Sequence, residues 1–207
     1  MNLEYIYWWF NGVLPERWCD YVLQSGLKNN RSTAFIGDKG DKHNHSKEEL
    51  QELRKIRNSD ITWIDQQWIY RMIHPYVDTA NKNAGWNFQW DWTETAQFTE
   101  YKPGQFYGWH QDSLNKSYEN KEGKNYNGKI RKLSCSILLS SSDEYEGGEL
   151  QFKGLDGNKD ATVTTAKEAA KKGSITIFPS FNWHQVTPVT KGVRHSLVTW
   201  NLGEPWK

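Results

Sequence analysis

Apolar positions along the chain follow two different periods. In residues 14–23, Pro15 stands at an early helical position and Trp18, Tyr21 and Val22 share one side of a 3.6-residue repeat, which predicts an amphipathic helix. A second helix is predicted over about 65–83, where Trp68, Ile69, Met72, Ile73, Tyr76 and Val77 recur at spacings of three and four and Gly85 marks a stop. The polar, glycine-containing stretch 37–44 between them reads as a loop. From Trp86 onward the period shortens to two. Residues 88–92, 133–137, 174–178 and 196–200 alternate apolar and polar side chains between Gly, Pro and Asn breaks, as half-buried strands do. Helices first and short strands afterwards predict a mainly β protein, an antiparallel sandwich or small barrel backed by N-terminal helices. Residues 1–207 read as a single domain, 1–85 forming a mainly helical support and 86–207 the β core.

Two polar stretches interrupt the strands. Residues 113–129 read as a long loop over the mouth of a site, and 154–172 as an insertion whose 164–172 portion could hold a short exposed helix. With 26 Lys and Arg against 25 Asp and Glu, the chain has no excess of cations to neutralise phosphates, which argues against a nucleic-acid partner. Cys19 and Cys135 lie far apart and read as reduced thiols. The apolar run 5–10 is much too short to span a bilayer, so no membrane or targeting segment is expected and the reading is cytoplasmic. Twelve Trp, ten Tyr and eight Phe supply the bulk of a core that Ile and Leu alone would not fill.

Three elements carry candidate chemistry. His110 and Asp112 stand two apart, so on a strand they share a face and can offer an imidazole nitrogen and a carboxylate oxygen to one metal. The pair alone is weak, because such spacing arises by chance. His184 follows a strand that ends at Pro179, and a distant His completes a facial set of two imidazoles and one carboxylate, leaving adjacent metal positions open for reactants. Arg194, ten residues on, sits with Ser196 on one strand face without an acidic neighbour in sequence. A guanidinium that can grip a carboxylate through two N–H groups, with a hydroxyl beside it, suits the far carboxylate of a ligand such as 2-oxoglutarate. His43 and His45 in the polar loop, His74 on the second helix and His195, facing away from Arg194, are not expected to act.

These stretches resemble the 2-oxoglutarate/Fe(II) oxygenase superfamily, most closely its prolyl 4-hydroxylase-like branch. The resemblance runs through residues 101–112, which open Tyr101-Lys102-Pro103-Gly104 and close His110-Gln111-Asp112, then Gly147-Gly148-Glu149-Leu150-Gln151-Phe152, then 173–200. It implies a double-stranded β-helix of jelly-roll, cupin-like type. It further implies that His110, Asp112 and His184 hold Fe(II), that Arg194 anchors 2-oxoglutarate, and that Tyr101 lines the pocket. Gly147 and Gly148 match a turn that joins two strands. Where the branch often places a Tyr against the distal carboxylate, this chain has Leu133-Ser134-Cys135-Ser136, so Ser134, Ser136 and Ser196 are the candidates for that contact.

The implied activity is hydroxylation of an unactivated C–H, with 2-oxoglutarate and O2 as co-substrates, succinate and CO2 as products and ascorbate as a stimulant. The implied substrate is a prolyl residue of a peptide or protein, for which Tyr107, Trp109 and Trp183 would offer aromatic faces. A free amino acid or another small molecule is the alternative substrate. A jelly-roll module that binds metal or carbohydrate without turnover is the alternative function.

Overall fold

A computed structural model of the chain describes residues 3–28, 32–33, 47–113, 117–119, 124–154 and 162–206. In chain order it contains β1 (Trp8–Phe10), α1 (Glu16–Lys28), β2 (Ser32–Thr33), α2 (Lys47–Ile56), β3 (Arg57–Asn58), β4 (Asp60–Ile64) and α3 (Gln67–Asn83). There follow β5 (Trp92–Thr93), β6 (Ala96–Tyr101), β7 (Phe106–His110), β8 (Ile130–Leu138), β9 (Tyr145–Gly147) and β10 (Leu150–Lys153). The chain continues with β11 (Val163–Thr165), β12 (Ile175–Pro179), β13 (His184–Val186), β14 (Val189–Gly192) and β15 (Arg194–Gly203).

The strands form a major sheet in the order β1-β12-β8-β15-β6-β4-β2, with β5 on β15, and a minor sheet β11-β10-β13-β7-β3. Every pairing is antiparallel. This is the antiparallel sandwich backed by N-terminal helices that the periodicity predicts, in the jelly-roll form that the family resemblance implies. Alternation along the central strands explains how the major sheet serves two neighbours. On β8, Leu133, Cys135 and Ile137 join a core with Trp18, Cys19 and Val22 of α1 and Ile69, Ile73 and Val77 of α3. The alternate residues Ser134 and Ser136 are small, and on the sheet's other face they leave room that large side chains would fill.

Helix α1 approaches β6 most tightly at a glycine. A Cβ on Gly26 would lie 2.3 Å from the ring of Phe98, itself fully buried on β6. Gly26→Ala is therefore expected to destabilise the protein by about 1–3 kcal/mol through overpacking. The denaturant midpoint measures this, and an unchanged midpoint would contradict the packing described.

Three expectations change. Residues 88–92 are not a ladder strand, and only Trp92 enters β5. The Asn81 side chain bonds both Phe88 N and Phe88 O at 2.9 Å, so a helix amide takes the place of a strand partner and the alternation reflects docking against α3. The first 85 residues contribute β1, β2, β3 and β4 as well as helices, strands of two to five residues that are too short to show a period. Residues 164–172 hold the end of β11 and one 3-10 turn, Lys167–Ala169, rather than a helix. The loop predicted at 37–44, with His43 and His45, lies outside the described residues, as does part of 113–129.

Candidate metal centre

His110 ends β7 and His184 opens β13, and the two are register partners across that antiparallel pair. Asp112 reaches the same place by a different route from the one predicted. Strand β7 stops at His110, and the backbone N–H groups of Asp112 and Ser113 both donate to Ser180 O, at 2.8 and 2.9 Å, in the turn before His184. That turn, rather than a continued strand, holds the carboxylate beside the imidazoles.

One donor atom from each of His110, Asp112 and His184 lies within 4.8 Å of the others, the only such group of three or more among the described residues. His110 Nε2 is 3.6 Å from Asp112 Oδ1 and His184 Nε2 is 3.4 Å from Asp112 Oδ2. The side chains are 11%, 7% and 7% exposed for His110, Asp112 and His184. Each imidazole donates its Nδ1–H to a backbone carbonyl, His110 to Gly108 O at 2.8 Å and His184 to Asn182 O at 2.9 Å. Both Nε2 lone pairs are thereby turned toward the carboxylate, the tautomer a metal requires. Asp112 Oδ2 accepts a hydrogen bond from Ser134 Oγ at 2.7 Å, and Ser134 in turn meets Ser180 Oγ at 2.9 Å.

The protonation states suit a cation. Burial opposes ionisation of Asp112, but His184 and His110 outweigh it and hold the carboxyl well below the usual carboxylate range. Burial, with His110 beside it, pushes His184 down to about 4 against the pull of Asp112, so it is neutral at neutral pH. Two imidazoles, that of His184 neutral, and one ionised carboxylate are the donor set of a non-haem iron site.

A stability consequence follows for the metal-free protein. Between the ordinary histidine value near 6.5 and about 4, the unfolded chain binds a proton that folded His184 refuses. Stability therefore rises with pH across this window and falls on acidification, by up to about 3 kcal/mol from this group. Denaturation at stepped pH checks this. His184→Asn is expected to flatten the slope, and the same slope in that variant would contradict the assignment.

Arg194 opens β15 opposite Tyr101 of β6 and is 4% exposed, yet its Nε and Nη1 have no hydrogen-bond partner. A buried guanidinium is rarely left unsatisfied. It borders a cavity of about 220 Å³ walled also by Ser136, Leu138, Gly148, Ser174 and Thr176. None of the three clustered residues lines this cavity. The volume is below the roughly 300–1,000 Å³ of pockets for drug-sized ligands and suits a small acid. Gly148, at φ +61°, makes the space, since a Cβ there would lie 2.7 Å from Arg194 Cδ.

The other predicted residues fall in different places. Ser196 is buried on the Arg194 face but is not among the cavity walls, and Ser134 is bonded to Asp112; the hydroxyl that shares the cavity with Arg194 on β8 is that of Ser136. Tyr101 is buried with its ring centroid 5.6 Å from the Arg194 guanidinium, and burial raises its phenol. Trp109 stacks under Lys153 at 4.5 Å, and Trp183 is 38% exposed. His74 bonds Thr93, and His195 lies between Glu100 and Ser140. Cys19 and Cys135 are unpaired and buried. Among the described residues no helix is long and apolar enough to cross a membrane.

A family model described as the 2OG-Fe(II) oxygenase superfamily matches residues 96–201, just over half of the chain. A PKHD-type hydroxylase of Stenotrophomonas maltophilia (strain R551-3) is 33% identical over 105 residues, which cover 50% of this chain and 41% of that protein. The match thus spans about two-fifths of the relative's length. Among solved structures, the viral collagen prolyl hydroxylase of Paramecium Bursaria Chlorella virus-1, in its 2OG complex, superposes with a TM-score of 0.62 at 19% identity, covering 97% of each chain. A prolyl hydroxylase from Trichoplax adhaerens, in complex with a hypoxia inducible factor peptide fragment, gives 0.62 at 17% identity, covering 95% of this chain and 83% of that one. At these identities the structural likeness concerns the fold.

Proposed function

The chain belongs to the 2OG-Fe(II) oxygenase superfamily, and from that premise we propose that it is an Fe(II)- and 2-oxoglutarate-dependent dioxygenase hydroxylating a prolyl residue in a peptide or protein. One observation carries the reading. The chain carries both a His-Asp-His donor set and a buried Arg194 whose Nε and Nη1 have no hydrogen-bond partner.

His110, Asp112 and His184 would hold the iron through Nε2, a carboxylate oxygen and Nε2. When bound, iron with 2-oxoglutarate and O2 supplies the oxidising power for an unactivated C–H, with succinate and CO2 as products. The chain's own residues bind and orient. Arg194 grips the distal carboxylate of 2-oxoglutarate, with the Ser136 hydroxyl in the same cavity. Ser134 holds Asp112 by a hydrogen bond to Oδ2, and the carbonyls of Gly108 and Asn182 hold the imidazoles. The peptide substrate draws support from the fold shared with the Trichoplax adhaerens prolyl hydroxylase, which was solved with a peptide fragment, and the continuity of the major sheet from β1 to β15 supports treating residues 1–207 as one oxygenase domain.

The test is succinate formation from 2-oxoglutarate under air, with Fe(II) and ascorbate present. Proline-containing peptides are expected to stimulate it and to gain one oxygen atom. Stimulation by free amino acids alone would overturn the peptide assignment, and metal binding without consumption of 2-oxoglutarate would leave a binding module.

A further inference from the structure

Arg57 and Tyr107 lie outside the donor set, and we infer that together they form a positioning stack that presets the ring plane of His110. This rests on the reading of His110 as an iron ligand. Tyr107 and His110 stand three apart on β7 and would face opposite sides of a regular strand. They do not, because the pairing with β13 shifts: His184 faces His110 and Val186 faces Tyr107, so two steps of one strand oppose three of the other. A bulge of this kind re-aims a side chain. Here it brings the two rings into a stack, with centroids 3.5 Å apart and planes inclined by 11°.

Arg57, the register partner of Tyr107 across β3 and β7, places its guanidinium carbon 4.3 Å from the Tyr107 ring centroid. Two groups so close to one centroid cannot share a face, so Arg57 and His110 sandwich the phenol ring. The guanidinium is fixed by Nη2 donating to Gln97 Oε1 at 2.6 Å and Nε donating to Ser59 Oγ at 3.1 Å, both of these partners being buried. Its hydrogen-bond partners among the described residues are neutral, which makes a buried cation costly there. What a guanidinium offers that an apolar side chain does not is a flat, cationic face held rigidly against an aromatic ring. The hydrogen bond from Nδ1 to Gly108 O leaves the imidazole free to tilt about that bond. The stack removes the tilt and keeps Nε2 aimed at the cluster.

Anaerobic Fe(II) titration of the full chain tests this in Tyr107→Phe, Tyr107→Leu and Arg57→Met, with 2-oxoglutarate affinity measured separately at saturating Fe(II) and circular dichroism as a check on folding. Tyr107→Phe keeps the ring and is expected to stay within about twofold of the parent in Fe(II) affinity. Tyr107→Leu and Arg57→Met are expected to weaken Fe(II) binding by about 10- to 100-fold, the size of effect seen when a ligand's support is removed. Their 2-oxoglutarate affinity at saturating metal should be unchanged. Parent-like Fe(II) affinity in either folded variant, or equal weakening in Tyr107→Phe, would overturn the inference. A parent protein that binds no Fe(II) would refute the ligand reading beneath it.

Discussion

His184→Ala is expected to abolish 2-oxoglutarate turnover and with it tight Fe(II) binding. The imidazole is one of only three donors, its Nε2 stands 3.4 Å from Asp112 Oδ2, and its Nδ1 is already committed to Asn182 O. No other His, Cys, Asp or Glu joins this group among the described residues. A metal that contributes several kcal/mol to the reaction takes that contribution with it when it leaves, so the loss in kcat/KM should exceed about 10³-fold. The Ala variant also removes a buried neutral histidine that disfavours folding at acid pH, so its metal-free form should be less acid-sensitive than the parent. Loss of fold is therefore a poor explanation for loss of activity. Turnover and iron content of the purified variant check the prediction together, and full activity with bound iron would defeat the ligand assignment.

Arg194→Ala is expected to weaken 2-oxoglutarate binding by roughly 30-fold to several-thousand-fold, the equivalent of about 2–5 kcal/mol for truncating one partner of a buried charge pair. The same change should not destabilise the unliganded protein in proportion. Without the co-substrate, Arg194 Nε and Nη1 are buried and unpartnered, so removing the cation relieves a desolvation cost while it leaves a cavity. The opposite signs separate a ligand-binding arginine from a structural one. Arg194→Lys keeps the charge but loses the two-pronged geometry, and should fall between the parent and Arg194→Ala. Isothermal titration with 2-oxoglutarate, paired with thermal denaturation of the unliganded variants, reads both effects. An affinity within twofold of the parent would show that the carboxylate binds elsewhere.

The sequence makes the donor types and the arginine legible because each is chemically unusual in its surroundings: a His and an Asp two apart, a His past a strand end, an Arg on an apolar strand. How they come together is less legible. The two-residue spacing of His110 and Asp112 suggests a shared strand face, whereas Asp112 is held beyond the strand by its backbone bonds to Ser180 O, a carbonyl that every residue possesses and no sequence pattern marks. Tyr107 looks like a substrate face from sequence, and it takes a bulge to stack it on His110. Arg57 escapes notice because its strand is two residues long and its register partners lie 48 to 50 residues away. The helices are legible where apolar residues fall at helical spacing, as in α1 and α3. The strand expected at 88–92 fails because docking on Asn81 produces the same alternation as a sheet. The choice among Ser134, Ser136 and Ser196 turns on which hydroxyl another group claims, and only the geometry shows that Asp112 claims Ser134.

The measurement that bears most directly on the central claim is an anaerobic titration of 2-oxoglutarate into the Fe(II)-loaded protein, followed by visible absorption. A metal-to-ligand charge-transfer band that saturates at one equivalent, and that is absent in His184→Ala, is the result expected if His110, Asp112 and His184 hold iron with open positions for the co-substrate. Folded, iron-loaded protein that develops no band on adding 2-oxoglutarate would contradict the account and leave the chain a metal-binding jelly roll without oxygenase chemistry.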